Sequence, residues 1–317
     1  DLKEQRRRVH QGMDQYRTDN VQLKWDVFSP QQERGRQNEE NYTTLYYKFH
    51  QGDVEKFRLR SKKELQDITE TTRITWVAFK QQFFSSVIIS DKMPFEGGYM
   101  VTERQEGSDE YITRFETELA VPYDRTSDFI MPVQFYFGPN HVQTLKRVGL
   151  DLKKLVFIGG SVIRWINEFV IIPIFNWLDN FISSYGIIIL LLTLIIKLAL
   201  LPLTYKSFMS QAKMRALKPE VDAINEKFPK DKAMEKQQAT MALYRKAGAN
   251  PMGGCLPMLL QFPILYAMFR FFPLSIELRQ ESFLWANDLS TYDSILDLPF
   301  SIPMYGDHVS LFTILMT

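Results

Sequence analysis

Hydrophobic and polar positions alternate with a period of two along much of the first half of the chain. Leu45, Tyr47 and Phe49 alternate with polar or smaller neighbours, and Gln51-Gly52-Asp53 offers a turn before Phe57 and Leu59. Tyr111, Thr113, Phe115, Thr117 and Leu119 fall on one side of an extended segment, and Arg114, Glu116 and Glu118 on the other. The clearest run is Phe129, Met131, Val133, Phe135 and Phe137, closed by Gly138-Pro139-Asn140. Successive side chains of a strand point to opposite faces, so each run predicts a half-buried strand. Several such strands with Gly/Pro turns, and no helices long enough for crossover units, predict an antiparallel β-sandwich over residues 41–150. Residues 1–40 carry no sustained apolar period and are crowded with charge (Arg6-Arg7-Arg8, Glu33 to Arg36, Glu39-Glu40). They are expected to be a solvated helix or linker that ends a longer N-terminal region.

The period changes at Asp151. Between Ser161 and Ile182, the polar residues Arg164, Asn167, Glu168, Asn176, Asp179 and Asn180 recur at helical spacing among aromatic and aliphatic residues. Three charges disfavour a membrane span. An amphipathic helix lying in a membrane interface, anchored by Trp165 and Trp177, fits residues 151–184; a buried soluble helix is the other reading of the pattern. Gly186–Leu203 is a run of 18 residues whose only charge is Lys197, which meets the rough length of a transmembrane helix. Residues 185–317 are therefore expected to form a membrane core. Its first span covers about 186–204. A second covers about 255–276, interrupted by Gln261 and Arg270 and by Pro257, Pro263 and Pro273, and a third begins at Val309.

The segment between the spans, 205–250, predicts a helical hairpin. Met214, Leu217, Val221, Ile224 and Phe228 are spaced 3, 4, 3 and 4, a narrow seam on one helix. Pro229 stops that helix, and Asp231 can cap a second, which runs to about Lys246 before Gly248. Residues 206–250 hold ten basic groups and five acids, whereas 277–308 hold one base, Arg279. Basic groups in short loops mark the cytoplasmic side, so the hairpin is expected inside and the β domain outside.

Composition narrows the chemistry. With 38 basic and 37 acidic residues the formal net charge is +1, which excludes a nucleic-acid binder that works by bulk electrostatics. One cysteine excludes an intrachain disulfide framework and a Cys-rich metal site. Nothing beside Cys255 would activate a thiolate, and the histidines at 10, 50, 141 and 308 make no metal spacing. There is no Gly-rich phosphate loop after a strand and no pairing of Ser or Cys with a base, so no catalytic residue, metal or cofactor is expected. The chain is read as a non-enzyme and as a fragment.

Lys197 is the most informative residue. A lysine at a bilayer centre costs ~2.5–3.5 kcal/mol on insertion scales and marks a polar interior, unless it snorkels to the headgroups. Tyr205 lies eight residues further on, about 12 Å along the helix axis, and the Cα–Cβ bonds of a helix tilt toward its N-terminus, here away from the cytoplasm. Thr193, at i−4, shares the face. Gln261 is a second polar side chain at membrane depth, suited either to an interhelix hydrogen bond or to a groove. The residues alone leave a functional polar cavity and snorkelling open at Lys197, and allow a transporter or channel with a cationic site or a structural assembly factor of the membrane. The absence of an internal repeat weighs against a transporter.

From Trp76 onward the chain resembles the YidC family of membrane protein insertases, in its Gram-negative form with a large periplasmic domain. The resemblance rests on Trp76-Val77-Ala78 with Gln81-Gln82, on Lys197 before Pro202-Leu203-Thr204, and on Ala212-Lys213-Met214-Arg215. It continues through Met241-Ala242-Leu243-Tyr244, the run Asn250-Pro251-Met252-Gly253-Gly254-Cys255-Leu256-Pro257 with Gln261 and Pro263, then Glu277-Leu278-Arg279-Gln280 and Trp285…Asp288-Leu289-Ser290. The resemblance implies a supersandwich in the periplasm, an interfacial helix, and a five-helix insertase core in the bacterial inner membrane, of which the last helices lie beyond this fragment. It implies a hydrophilic groove with a basic residue on the first core helix, matched by Lys197 where many relatives carry Arg, and a substrate-facing position matched by Thr193, with Gln261 in the same groove. It implies hairpin contacts by Lys213, Arg215, Lys218 and Lys227. The partners implied are nascent membrane proteins, the ribosome, the Sec translocon and the lipid bilayer, with no specific nucleic-acid sequence.

Overall fold

The computed structural model describes residues 20–57, 62–122, 130–227, 232–248, 256–302 and 306–316. An antiparallel β-sheet domain is followed by a helical region with one long apolar helix. The chain divides into two compact units, Asp1–Phe157 with Leu274–Arg279, and Ile158–Pro273 with Gln280–Thr317.

The first unit contains β1 (Asn20–Pro30), α1 (Arg36–Tyr42), β2 (Thr44–Phe49), β3 (Val54–Lys56), β4 (Lys63–Lys80), β5 (Phe84–Ile89), β6 (Phe95–Arg104), β7 (Tyr111–Pro122), β8 (Gln134–Pro139) and α2 (Val142–Val148). The strands run in the order β1-β7-β6-β4-β2-β3, with β5 joined to β4 and β8 to β5. Strand β4 serves both halves of the sheet. Its residues 63–74 pair with β6, and after a register shift between Ile68 and Arg73 its C-terminal part pairs with β2 and β5. Trp25 on β1 meets the Phe79 ring on β4 at 4.5 Å, and the Phe135 and Phe137 rings on β8 at 5.9 and 6.3 Å. Leu45, Tyr47, Val77, Phe79, Ile88, Met100, Phe115 and Leu119 form the buried core. Each large side chain removed from water there contributes roughly 1.5–3 kcal/mol.

The expectation for residues 1–40 is corrected. Residues 20–30 form strand β1, in register with β7 from Asn20↔Pro122 to Pro30↔Tyr111. The alternation Leu23, Trp25, Val27 was present but masked by the charges between and around it. Those charges pair across the strands, Lys24 with Glu116 at 2.8 Å and Arg114 with Asp26 at 2.5 Å. Burial also catches Glu39, whose carboxylate accepts the backbone N–H of Gln32 and Glu33 and so holds the turn into α1. Desolvation raises the Glu39 pKa above the usual carboxylate value. Residues 1–19, Leu59 and Phe129 lie outside the described residues.

Trp76 faces away from Val77 and Phe79, as the pleat requires. It has no exposed surface, and its Nε1 donates to Leu150 O at 2.9 Å. Leu150 and Asp151 both have left-handed backbone (φ 51° and 62°), and Lys48 holds Asp151 through an ion pair of 2.8 Å. Trp76 is thus a structural anchor for the turn that leaves the β unit. Trp76→Phe leaves the Leu150 carbonyl without this donor and opens a void, so it should cost about 2–4 kcal/mol of stability. Urea unfolding of the chain followed by circular dichroism measures this. A loss under about 0.5 kcal/mol, the range of surface substitutions, contradicts the anchor.

The second unit contains α3 (Ser161–Ile166), a π-turn over Asn167–Ile171, α4 (Ile172–Asp179), α5 (Tyr185–Ala216), α6 (Lys218–Lys227), α7 (Ala233–Lys246), α8 (Leu256–Phe271), the hairpin of β9 (Leu296–Ile302) and β10 (Gly306–Val309), and α9 (Leu311–Met316). The expected helix 161–182 is interrupted by the π-turn because Pro173 lacks an N–H and its ring crowds the carbonyl four residues back, at Phe169. Val162, Trp165, Phe169, Trp177 and Phe181 are exposed, while Ile166, Asn167, Ile171, Phe175 and Leu178 are buried.

Helix α5 differs from the expected first span by continuing through Pro202 to Ala216, a length of 32 residues. The break falls at Leu217, just before Lys218-Pro219, where the missing proline N–H ends the ladder. Met214 therefore closes α5, and Val221 and Ile224 lie on α6. The seam residues Met214, Leu217, Val221 and Ile224 are half-buried and α6 touches α7. Phe228, Pro229 and Asp231 lie outside the described residues. Among the described residues α5 alone is long and apolar enough to cross a membrane, by length and composition. The second expected span is shorter than its pattern: α8 has 16 residues and gives way at Phe272-Pro273 to 3₁₀ turns, so Leu274–Arg279 is part of the first unit. There Arg279 Nε donates to Glu33 at 2.7 Å with its guanidinium over the Phe84 ring. Residues 277–308, expected as an outer loop, include β9 and part of β10.

Candidate functional site

Helix α5 forms because the largely apolar run 186–203 offers the backbone little to bond but itself. Its start is packed by a close approach: a Cβ on Gly186 would fall 2.1 Å from the Phe283 ring. The Phe175 ring stacks on Tyr185 at 5.9 Å and meets Phe271 edge-on at 5.3 Å, so α4, α5 and α8 share a small aromatic core. Ile188 and Leu192 are buried on this side.

The opposite side of α5 is an exposed stripe of Ile187, Leu190, Leu194, Leu201, Tyr205 and Phe208. Lys197 is three residues from Leu194 and four from Leu201, so it falls within that stripe. Its side chain is exposed, and among the described residues no hydrogen bond or ion pair takes up its charge. Thr193, one turn earlier, is half-buried, and its Oγ1 donates to Ile189 O at 2.9 Å. Thr204 does the same to Leu200 O at 2.9 Å, next to Pro202. The Thr193 donor is therefore used by its own helix, and lone pairs are what its hydroxyl has left to offer. Gln261 is exposed on α8, which touches α5. No direct bond joins Lys197, Thr193 and Gln261 among the described residues. The arrangement can attract a negative or hydrogen-bonding group beside an apolar surface, and the described residues include no group of His, Cys, Asp and Glu that could hold a metal ion.

The side chains of Lys213, Arg215, Lys218 and Lys227 are all exposed, with Lys213 Nζ 3.4 Å from Gly248 O. The run from Asn250 to Cys255 lies outside the described residues.

Two residues of this unit were not singled out from the sequence. Asn167 is fully buried in the π-turn. Asp293 accepts from Trp285 Nε1 at 3.0 Å, from the backbone N–H of Leu311 and Phe312, and from Ser310 Oγ, and so caps α9. Burial pushes its pKa up, but the bonds from Ser310, Phe312, Trp285 and Leu311 outweigh it and hold the carboxyl below its ordinary value. The signal for both was weak because a polar residue in a helix or loop is ordinarily solvated.

Residues 13–172 match the family model described as the YidC periplasmic domain, half of the chain. This chain belongs to the YidC family. Residues 177–317 match the model described as 60Kd inner membrane protein, so the two matches meet within the helical segment 161–179. Among curated YidC relatives named membrane protein insertase, that of Parabacteroides distasonis is 48% identical over 313 residues, covering 95% of this chain and 49% of the relative. That of Bacteroides fragilis is 45% identical over 307 residues, with 95% and 49% covered. That of Phocaeicola vulgatus is 45% identical over 309 residues, with 94% and 49% covered. The chain spans about half the length of the curated YidC relatives it matches. A YidC family with a periplasmic domain and an apolar helix fits the bacterial inner membrane.

Proposed function

We propose that this chain is part of a membrane protein insertase and membrane chaperone of the inner membrane. The observation that carries this reading is Lys197, a cation without a partner among the described residues, set in the exposed apolar stripe of a helix long and apolar enough to span. In a wet groove open to lipid, the Lys197 charge lowers the barrier for short polar or acidic segments of a nascent chain, while their apolar spans slide out along the neighbouring leucines. Thr193 and Gln261 supply hydrogen-bonding groups to the same path. No bond is made or broken, so the protein acts without being an enzyme.

In this reading the bent sheet is a supersandwich-type β-sandwich in the periplasm, supported by the approach of Trp25 to Phe135 and Phe137 across its halves. The exposed aromatic face of residues 161–179 lies in the membrane interface, and α5, α8 and α9 belong to a multi-pass core. Helices α6 and α7 form a cytoplasmic hairpin, whose Lys213, Arg215, Lys218 and Lys227 meet the ribosome or the nascent chain. The Sec translocon is a further partner. Lipid contact is supported by the exposed stripe of α5.

A photo-crosslinker at position 197 of the full-length protein tests the reading. It should capture nascent membrane proteins during synthesis. Capture of a small anion, or of nothing while the protein is folded and synthesis proceeds, overturns it.

A further inference from the structure

Asn167 has no exposed surface and opens the π-turn of the segment 161–179. Its Nδ2 donates to two main-chain carbonyls, Ile158 O at 2.7 Å and Ala267 O at 3.1 Å, 100 residues away on α8. Its Oδ1 is buried with no hydrogen-bond partner among the described residues. Burying an amide with one bond unmade is costly. The remaining contacts at this junction are apolar, such as Phe175 on Phe271, and apolar burial is non-directional, so it tolerates rotation. A hydrogen bond to a helix carbonyl does not: turning α8 by one residue swings the Ala267 carbonyl away by about 100°.

We infer that Asn167 is a positioning residue that sets the rotation of α8 against the segment 161–179, and so decides which face of α8 presents Gln261. Gln261 precedes Ala267 by six residues, about 240° around the helix and 9 Å along it. With Ala267 buried at the junction, Gln261 is held on an exposed face. The inference rests on the insertase reading for the use made of that face, but its geometry is independent of that reading.

The test uses the full-length protein in proteoliposomes, in a cysteine-free background with single cysteines at 260, 261 or 262. The aqueous maleimide labelling rate is compared between Asn167 and Asn167→Leu, with thermal unfolding as the check on folding and Asn167→Ala as a second variant should Leu not fold. With Asn167, position 261 should label faster than its neighbours. With Leu, the ratio of 261 to its neighbours should fall at least fivefold in a protein that still unfolds cooperatively, and insertion of a substrate with an acidic tail should slow. An unchanged ratio in a folded variant overturns the inference, as does no labelling at 261 with Asn167 in place. A shifted ratio with unchanged insertion overturns the positioning role. Failure of the Asn167 protein itself to insert any substrate, with the ratio still shifting, counts against the insertase reading and leaves the register intact.

Discussion

Replacing Lys197 with Met should abolish the dependence of insertion on the charge of a translocated tail, whereas Arg should keep it. Two opposite charges 4 Å apart interact by about 1 kcal/mol in water and about 4 kcal/mol at the effective dielectric of a protein surface. Even the lower figure is about fivefold in rate at 1.4 kcal/mol per tenfold, and a half-wet groove lies between the limits. Met has a similar length and no charge, so it isolates the electrostatic part. Arg remains cationic and is satisfied by water, though its planar fork recognises carboxylates with a different geometry. The measurement is insertion of one substrate whose tail carries zero, one or two Asp, in Lys197, Lys197→Arg and Lys197→Met backgrounds. Met should impair the acidic tails by about fivefold or more per charge and the neutral tail least. Snorkelling to the headgroups makes the opposite forecast: Met is harmless or stabilising with every tail, because it removes a desolvation cost and no function. Equal dependence on tail charge in the Lys and Met backgrounds ends the electrostatic assignment.

The β unit should lose stability as the pH falls below about 10, through one side chain. Lys80 closes β4, is buried, and donates from Nζ to Tyr42 O at 3.2 Å and Gln81 O at 3.0 Å. Its ammonium is also 5.9 Å from the Tyr42 ring centroid. Burial, and then the charge of Lys56, push its pKa down from 10.5 to about 7. A depressed lysine pKa means that the unfolded chain binds the proton more tightly than the native one. The penalty is absent above the unfolded value, grows as the pH falls from about 10.5 to 7, and is complete below 7. Each unit corresponds to 1.36 kcal/mol, so the full effect is on the order of 3–5 kcal/mol once relaxation of the site is allowed. Lys80→Met deletes the titration and both donor bonds. Above about pH 11, where the penalty is absent, it should cost about 1–2 kcal/mol, the ordinary worth of the two lost hydrogen bonds. At pH 6 it should stabilise by several kcal/mol. Because other groups titrate over this range, the readout is the difference between Lys and Met in urea unfolding at each pH. A difference that does not vary with pH would falsify the buried, weakly basic lysine.

The same physical distinction separates what was legible in the sequence from what was not. Strands β2 and β7 each obey one local period, which follows from the pleat whatever the rest of the chain does, and the long helix α5 declares itself by an apolar run, which is equally local. The apolar run 186–203 was legible for the same reason, and so was Lys197, because one charge in 18 residues stands out without any knowledge of neighbours. Strand β1 was not. Its inward Leu23, Trp25 and Val27 alternate with Lys24 and Asp26, whose partners Glu116 and Arg114 lie about 90 residues away on β7. A charge that will be paired and a charge that will be solvated are identical in a sequence.

Family likeness carried further than local pattern at Trp76 and Gln81, which it pointed to before either had a place, whereas Thr193 and Gln261 were already marked by their position in the apolar spans. It could not supply their contacts. Trp76 is tied to Leu150 and Gln81 to Ser29 and Pro30. The Thr193 donor is spent on its own helix, and Gln261 faces outward.

By itself, the sequence determined that a strand-rich half precedes a helical half, the family likeness, and the position of the one charge in the apolar run 186–203. These depend on side-chain periods and on runs of identity, which are properties of the chain read in line. Only the tertiary structure decided that β4 serves two halves of one sheet, that Lys80 is sealed among carbonyls, and that Leu274–Arg279 belongs with the β unit. It alone decided that Asn167 spends its amide on Ala267. Each of these turns on a contact between residues far apart in the chain, where burial sets the cost of a polar group and the position of the partner decides whether that cost is met.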